Sequence, residues 1–432
     1  MLFDRQSEKK YMAGMDLRDD VCQISYCRWQ KGRLLQEPVT WSAVPGSDQF
    51  DIPMALCKTV GENQWFFGEE AVSHSSEENH IFLPRLLSMA LDGSPVVLED
   101  TEYDPAALLA LYVNRCLRYL ELAVPGGEIA AVMFTARTMD ARMIGLLESV
   151  RRRLDLKAKV YYQSFAGSFY DFMLNQDESL REPAAALFDY ETGGRLHVTK
   201  LIFNPHTTPV VSYLEENEYP GLFAKDDAGR DLEFNNILKD ELAGHNFSSV
   251  YLVGSGFKGS WMKKSTAFLC QGRRAFLGGN LFSKGAAYGA GFKEEKPEIL
   301  SRYLFLDSNK LRSNILVTAL DRGEPARISL VDAGVNWYEV KCSAELVLDS
   351  TAEINLILHP LTGGREEPFH IRLDRLPVRE GRMTRVRMEF SMLSPVKLHI
   401  RIEDLGFGDI FPSSGLRWEQ DLVLEGAWQT GK

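Results

Sequence analysis

No stretch of this 432-residue chain approaches the roughly 20 apolar residues needed to span a bilayer, and Met1-Leu-Phe-Asp-Arg-Gln-Ser-Glu-Lys-Lys10 has no secretory apolar region. The expectation is a cytoplasmic protein with no membrane segment. Six cysteines (Cys22, Cys27, Cys57, Cys116, Cys270, Cys342) are scattered with no C-x-x-C pair and no neighbouring histidine at zinc-site spacing, so they read as reduced and structural. Cys22 and Cys27 stand five apart on one strand, on opposite faces, which excludes joint ligation. Clustered basic residues are also scarce. The formal net charge is −11, and the one basic run, Arg151-Arg152-Arg153, ends a helical pattern, where cations complement the carbonyl end of the dipole. A general nucleic-acid binder is excluded, because phosphate neutralisation needs concentrated Lys and Arg.

What is present is ordinary globular composition, 45% apolar and 25% charged, in a chain long enough for two or three domains. Two segments about 170 residues apart share one design. Tyr11-Met-Ala-Gly-Met-Asp16-Leu-Arg-Asp-Asp-Val-Cys-Gln-Ile-Ser-Tyr26 and Ala184-Ala-Ala-Leu-Phe-Asp189-Tyr-Glu-Thr-Gly-Gly-Arg-Leu-His-Val-Thr-Lys-Leu201 each run from an apolar strand through an aspartate and a polar turn into a second strand. Backbone N–H groups in such a turn can face phosphate oxygens while the aspartate holds Mg2+ or its water shell. Asp, Gly and alternating strands are also what any antiparallel hairpin uses.

Between the hairpins, strands and helices alternate. Asp104 caps an amphipathic helix to Ala123 with proline at its first position, Gly127 to Thr135 is a buried strand, and Met139 to Leu154 is helical. Ala158 to Gln163 is a short strand and Ser164 to Leu174 a second helix. This succession implies a mostly parallel sheet with helices on its faces. A helix from about Asp231 to Gly244 then leads to Ser248-Ser-Val-Tyr-Leu-Val-Gly254-Ser-Gly256-Phe-Lys-Gly259, which matches G-x-G-x-x-G. As a dinucleotide fingerprint it should be followed by an acidic residue about 20 positions on, where Arg273-Arg274 stand, so an NADP enzyme is a minor reading. A turn for tight helix-on-strand packing is the plainer one, and a surface for the sugar and base of a nucleotide is a third.

The order of hairpin, helical connection, hairpin, glycine turn and Gly285-Ala-Ala-Tyr-Gly289-Ala resembles the actin-like ATPase superfamily, in particular the DnaK-type heat-shock 70 kDa chaperones. Residues 12–29 and 184–201 are similar to that family's phosphate motifs, 127–175 and 282–292 to its connecting segments, and 248–262 to its adenosine motif. Ser301-Arg-Tyr-Leu-Phe-Leu-Asp307 resembles its interdomain linker. Beyond it, period-2 segments (314–319, 326–331, 336–342, 344–348, 353–359, 369–373, 384–390 and 397–402) read as a β-sandwich. Phe369 to Gly381, Val386 to Phe390 and Lys397 to Gly406 resemble the chaperones' substrate-binding sandwich.

The resemblance implies an α/β actin-like (ribonuclease H-like) two-lobed ATPase domain over 1–300, with its second-lobe lid subdomain shortened. A linker over 301–311 and an all-β sandwich over 312–432 without a helical lid complete the expected order. It implies ATP or ADP with Mg2+ as cofactor, Asp16 and Asp189 as metal- and phosphate-positioning residues, and Arg18, Thr192, Gly193, Gly194, Gly254, Ser255 and Gly256 around the nucleotide.

The departures point the other way. The family's Asp-Leu-Gly-Thr-Thr turn is here Asp16-Leu-Arg18-Asp-Asp20, Glu191 replaces a glycine of the second motif, and Gln163-Ser164 stands where the family has Glu-Pro-Thr. Two like charges about 4 Å apart at an effective dielectric near 20 repel by roughly 4 kcal/mol, which Arg18 or a metal would have to offset. Arg85 is the nearest counterpart of the family's hydrolytic lysine. The expectation is a slow ATPase or a pseudo-ATPase. Three functions follow: a chaperone-type peptide- or protein-binding protein, a non-catalytic scaffold, or a small-molecule kinase of the sugar-kinase branch, which the sandwich speaks against. Met388, Phe390, Met392 and Leu393 are candidate apolar contacts for a bound peptide, with core packing explaining them about as well, and Phe407 to Gly415 is a candidate partner loop.

Overall fold

Two sheets of the same design carry the first part of the chain. The computed structural model describes residues 9–44, 46–349, 351–361, 365–377, 379 and 381–424. It divides into two units, Met1–Phe305 and Leu306–Lys432.

In the first unit, β1 (Lys9–Leu17), β2 (Val21–Gln30), β3 (Arg33–Thr40), β4 (Gly127–Ala136) and β5 (Lys159–Ser164) lie in the order β5-β4-β1-β2-β3. The second sheet uses β6 (Ala184–Tyr190), β7 (Leu196–Asn204), β8 (Val210–Tyr219), β9 (Ser249–Val253), β10 (Arg274–Gly278) and β11 (Tyr303–Leu306) in the order β10-β9-β6-β7-β8-β11. Directions match as well. In each sheet a three-strand meander is antiparallel, a further strand joins its first strand in parallel, and another joins that one in parallel. All seven residues of β6 and all five of β9 are buried, as expected of parallel strands covered on both faces.

The helices repeat too. α1 (Pro105–Ala123) and α2 (Ala141–Arg153) precede and follow β4, α3 (Phe165–Leu174) follows β5, and α4 (Asp227–Glu241), α5 (Lys263–Leu269) and α6 (Leu281–Glu295) hold the same places around β9 and β10. Side-chain caps start four of them: Asp104 accepts from Ala106 N, Asp140 from Met143 N, Ser164 from Gly167 N and Asp226 from Gly229 N.

The two halves exchange their last helices. α3 follows the first sheet, yet its Phe169 and Phe172 rings meet Tyr251 of β9 in edge contacts at 6.2 and 5.6 Å. α6 follows the second sheet, yet it lies on β1 and β2, where Ser283 Oγ is 2.8 Å from Ser25 Oγ and Cys27 Sγ donates to Ala287 O. Glycine permits the approach. A Cβ on Gly14 would fall 2.2 Å from Ser283 O, and one on Gly285, where α6 crosses α3, 1.9 Å from Ser168 O. A single core thus spans both sheets, including Met12, Met133, Phe169, Leu187, Phe282 and Ala287. Each large side chain buried there contributes roughly 1.5–3 kcal/mol, so neither half is complete alone.

Strands Ala55–Thr59, Trp65–Phe67 and His80–Pro84 form a small sheet inserted between β3 and α1. The segment expected to be a strand-like linker contains a short strand. Tyr303–Leu306 closes the second sheet beside β8, and Tyr303 Oη holds Glu182 at 2.6 Å while accepting from Arg181 at 2.7 Å.

The second unit has two four-stranded antiparallel sheets. One is β13-β12-β15-β16, from β12 (Ser313–Asp321), β13 (Glu324–Val331), β15 (Glu353–Pro360) and β16 (Glu367–Arg372). The other is β14-β17-β18-β19, from β14 (Lys341–Leu348), β17 (Thr384–Ser394), β18 (Lys397–Asp404) and β19 (Arg417–Val423). Two expectations change here. Residues 336–342 are not one strand, because Trp337–Glu339 is a 3-10 turn with Trp337 buried, and β14 begins only at Lys341. β19 was not expected, since one side of it is exposed polar surface and its apolar alternation is weak.

Candidate functional site

The site begins with register. Asp16, the next-to-last residue of β1, pairs with Thr135 of β4 and Gln23 of β2, while Asp189 pairs with Val253 of β9 and His197 of β7. The two aspartates therefore occupy equivalent places at the ends of equivalent strands. Both are buried.

Arg18 fills the space between them. Its Nε donates to Asp16 Oδ2 at 3.1 Å, its Nη1 lies 3.8 Å from Asp189 Oδ1, and the same Nη1 donates to Glu191 Oε1. The guanidinium sits over the rings of Phe165 and Phe282, 5.5 and 5.3 Å from their centroids, and its side chain is only 8% exposed. Cation–π contacts in so dry a setting reach about 2 kcal/mol. Arg137, just past β4, donates to Asp189 Oδ2 at 2.6 Å from the solvent side.

Burial is the largest influence on Asp16. It outweighs the attraction of Arg18 and pushes the carboxyl up to about 6. Burial also opposes the charge on Arg18, but Asp16, Asp189 and Glu191 overcome it and hold the guanidinium charged well above its usual range. Burial and Arg137 lower His197 to about 4, so that imidazole is neutral near pH 7.

Several of the turn donors are already in use. Ser255 N and Ser255 Oγ both donate to Glu191 Oε2, at 2.9 and 2.6 Å, Thr192 N donates to Ser255 Oγ at 3.0 Å, and Gly194 N to Glu191 O at 2.9 Å. In the first hairpin Arg18 N donates to Val21 O. Gly254 and Gly256 have a packing reason. A Cβ on either would fall 2.3 or 2.2 Å from the Tyr190 carbonyl oxygen or ring. Only the 3-10 turn Ser255–Phe257 follows β9, and the next helix starts at Lys263, so G-x-G-x-x-G opens no helix whose N-terminus could receive a pyrophosphate. The minor dinucleotide reading falls on that point.

Fit to Mg2+ can be judged from the same contacts. Asp16 Oδ1 and Asp189 Oδ1 are buried without a hydrogen bond, which alone would suit a cation. A guanidinium already stands between the two carboxylates, and a divalent ion there would meet its charge directly. The residues do not fit the metal while Arg18 keeps this position.

Other expected residues lie apart. Arg85 pairs with Asp19, whose Oδ1 also accepts from Ser88 N, and it makes no contact with Asp16 or Asp189 among the described residues. Gln163 Nε2 donates to Ser168 Oγ, which donates to Thr135 Oγ1, a buried chain at the end of β5. In the second unit Met388, Phe390 and Met392 are 0, 2 and 7% exposed, which favours the core-packing alternative for these three; Leu393 is exposed. Arg137 and His197 were missed by the sequence reading, although both sit near the ends of strands next to an acidic strand end.

Residues 37–308 match the family described as family of unknown function (DUF5716), C-terminal, and the chain belongs to it. Residues 310–424 match a domain of unknown function, DUF8552. The first match takes in Asp189, Glu191 and the glycine turn but starts after Asp16 and Arg18. No curated protein matches the chain. Among the described residues, no helix is long and apolar enough to cross a membrane.

Proposed function

We propose that this is a non-catalytic relative of the actin-like ATPases, of DnaK type, in which an internal arginine has taken over the work of the nucleotide's metal and phosphates in joining two half-domains. One observation carries the reading: Arg18 contacts Asp16 on its own strand end and both Asp189 and Glu191 on the other, at the point where the two repeated sheets meet. The duplicated sheets and exchanged helices support the actin-like relationship, and the occupied turn donors support loss of nucleotide binding.

On this reading the protein works as a cytoplasmic, nucleotide-independent binding module for a protein or peptide, with the second unit supplying β surface. The acidic net charge argues against nucleic acid. Titration calorimetry with Mg-ATP and with Mg-ADP tests it, together with thermal unfolding in their presence. No heat of binding and no shift are expected. A ligand at 100 times its dissociation constant adds about 2.7 kcal/mol, so micromolar binding with a matching rise in melting temperature overturns the proposal.

A further inference from the structure

The inserted small sheet holds a second polar cluster, far in sequence from the hairpins. His74 caps helix Glu69–Ser73, Glu77 sits in the following turn, and His80 begins strand His80–Pro84. Two backbone bonds of 3.1 Å, Glu77 N to His74 O and His80 N to Glu77 O, fold this H-x-x-E-x-x-H segment into successive turns that put the three side chains together. Their donor atoms all lie within 4.8 Å of one another. His74 Nδ1 is 2.9 Å from Glu77 Oε1, and His80 Nδ1 is 3.1 Å from Glu77 Oε2.

Those spacings are close to the separation of about 3.3 Å between neighbouring ligands of a tetrahedral ion with 2.0–2.1 Å bonds. His80 adds an independent sign. Its side chain is only 6% exposed, and its buried Nδ1 stands 3.1 Å from Glu77 Oε2 without the geometry of a hydrogen bond. The other nitrogen, Nε2, is 3.3 Å from Thr59 Oγ1, so the ring is oriented from behind. Phe66 packs on both imidazoles, with centroid distances of 4.1 and 5.7 Å.

We propose that His74, Glu77 and His80 form a binding site for a divalent transition-metal ion of the zinc class. Two imidazoles and one carboxylate suit such an ion better than Mg2+ or Ca2+, which prefer all-oxygen sets. Glu77 is half exposed, so a fourth position is open to water. A bound ion would fasten the His74–His80 turn to the strand carrying Thr59. Binding requires deprotonated ligands, so it weakens in acid.

Cobalt(II) titration of the chelator-stripped full chain, followed by visible absorption, tests this. One equivalent should produce d–d bands that added Zn2+ abolishes. Glu77→Gln and His74→Ala should each weaken binding at least about tenfold, and both side chains are exposed enough for the fold to survive. His80→Ala probes folding as well as ligation and is secondary to them. Absence of cobalt bands in the wild-type chain, unchanged affinity in Glu77→Gln, or near-ultraviolet thiolate bands that disappear in Cys270→Ser each overturn the proposal.

Discussion

Arg18 and Glu191, 173 positions apart, form an ion pair that bridges the ends of two equivalent strands. The pair joins halves whose last helices are exchanged, so it reinforces a boundary already tied by packing. Removing the cation would leave Asp16 buried without a counter-charge and Asp189 with Arg137 alone. Arg18→Ala should cost about 3–5 kcal/mol, the usual penalty for breaking a buried ion pair from one side, read as a lower denaturant midpoint for the first unit. Arg18→Lys should recover little of it, because one ammonium cannot reproduce a fork that reaches three carboxylates.

Asp16 sets a pH dependence of unusual sign. Its carboxyl rises from 3.8 to about 6 in the folded chain, chiefly through burial. Between those values the folded state holds a proton that the unfolded state has released, so the contribution of Asp16 is fullest below about pH 4, falls as pH rises to about 6, and levels off above. Asp16→Asn should flatten that decline, measured as unfolding free energy across the window. A profile in Asp16→Asn that still falls as steeply would show that another group titrates there.

Strand alternation ending at Asp16 and Asp189 is enough to place both hairpins, and caps such as Asp104 and Ser164 mark helix starts to within a residue or two. The direction of the Arg18 side chain was not legible, because it depends on carboxylates 171 and 173 residues away and on two aromatic rings from different helices. Nor could a period-2 pattern say which face of β17 is covered: Met388, Phe390 and Met392 alternate as an inner or an outer face would. The H-x-x-E-x-x-H segment was not singled out from the sequence, because only the turns that fold it bring its side chains together.

In the second unit, Arg379 forks onto Asp404 with two bonds of 2.8 Å, and Asp404 also accepts from Gly406 N, Ser414 N and Ser414 Oγ. Burial would raise this carboxyl, yet those donors reverse the effect and hold it well below the usual range. Its contribution is present above about pH 4 and lost as pH falls, opposite in sign to that of Asp16. Arg379→Ala should cost about 3–5 kcal/mol and weaken the acid sensitivity of this unit, checked by denaturant unfolding at pH 7 and pH 3.

Glycine gives the sharpest test of the helix exchange. At Gly285 a methyl group would fall 1.9 Å from the Ser168 backbone carbonyl, which cannot move without separating α6 from α3. Gly285→Ala should therefore destabilise by about 1–3 kcal/mol or more, despite alanine's better helix propensity. Gly145 in α2 is the control. A Cβ there meets nothing within 4 Å, so Gly145→Ala should gain up to about 1 kcal/mol from propensity alone. Thermal unfolding of the two variants side by side separates packing from propensity, since the same substitution in two helices is expected to move the midpoint in opposite directions. Equal shifts would mean that α6 does not sit against α3 as closely as the crossing at Gly285 requires.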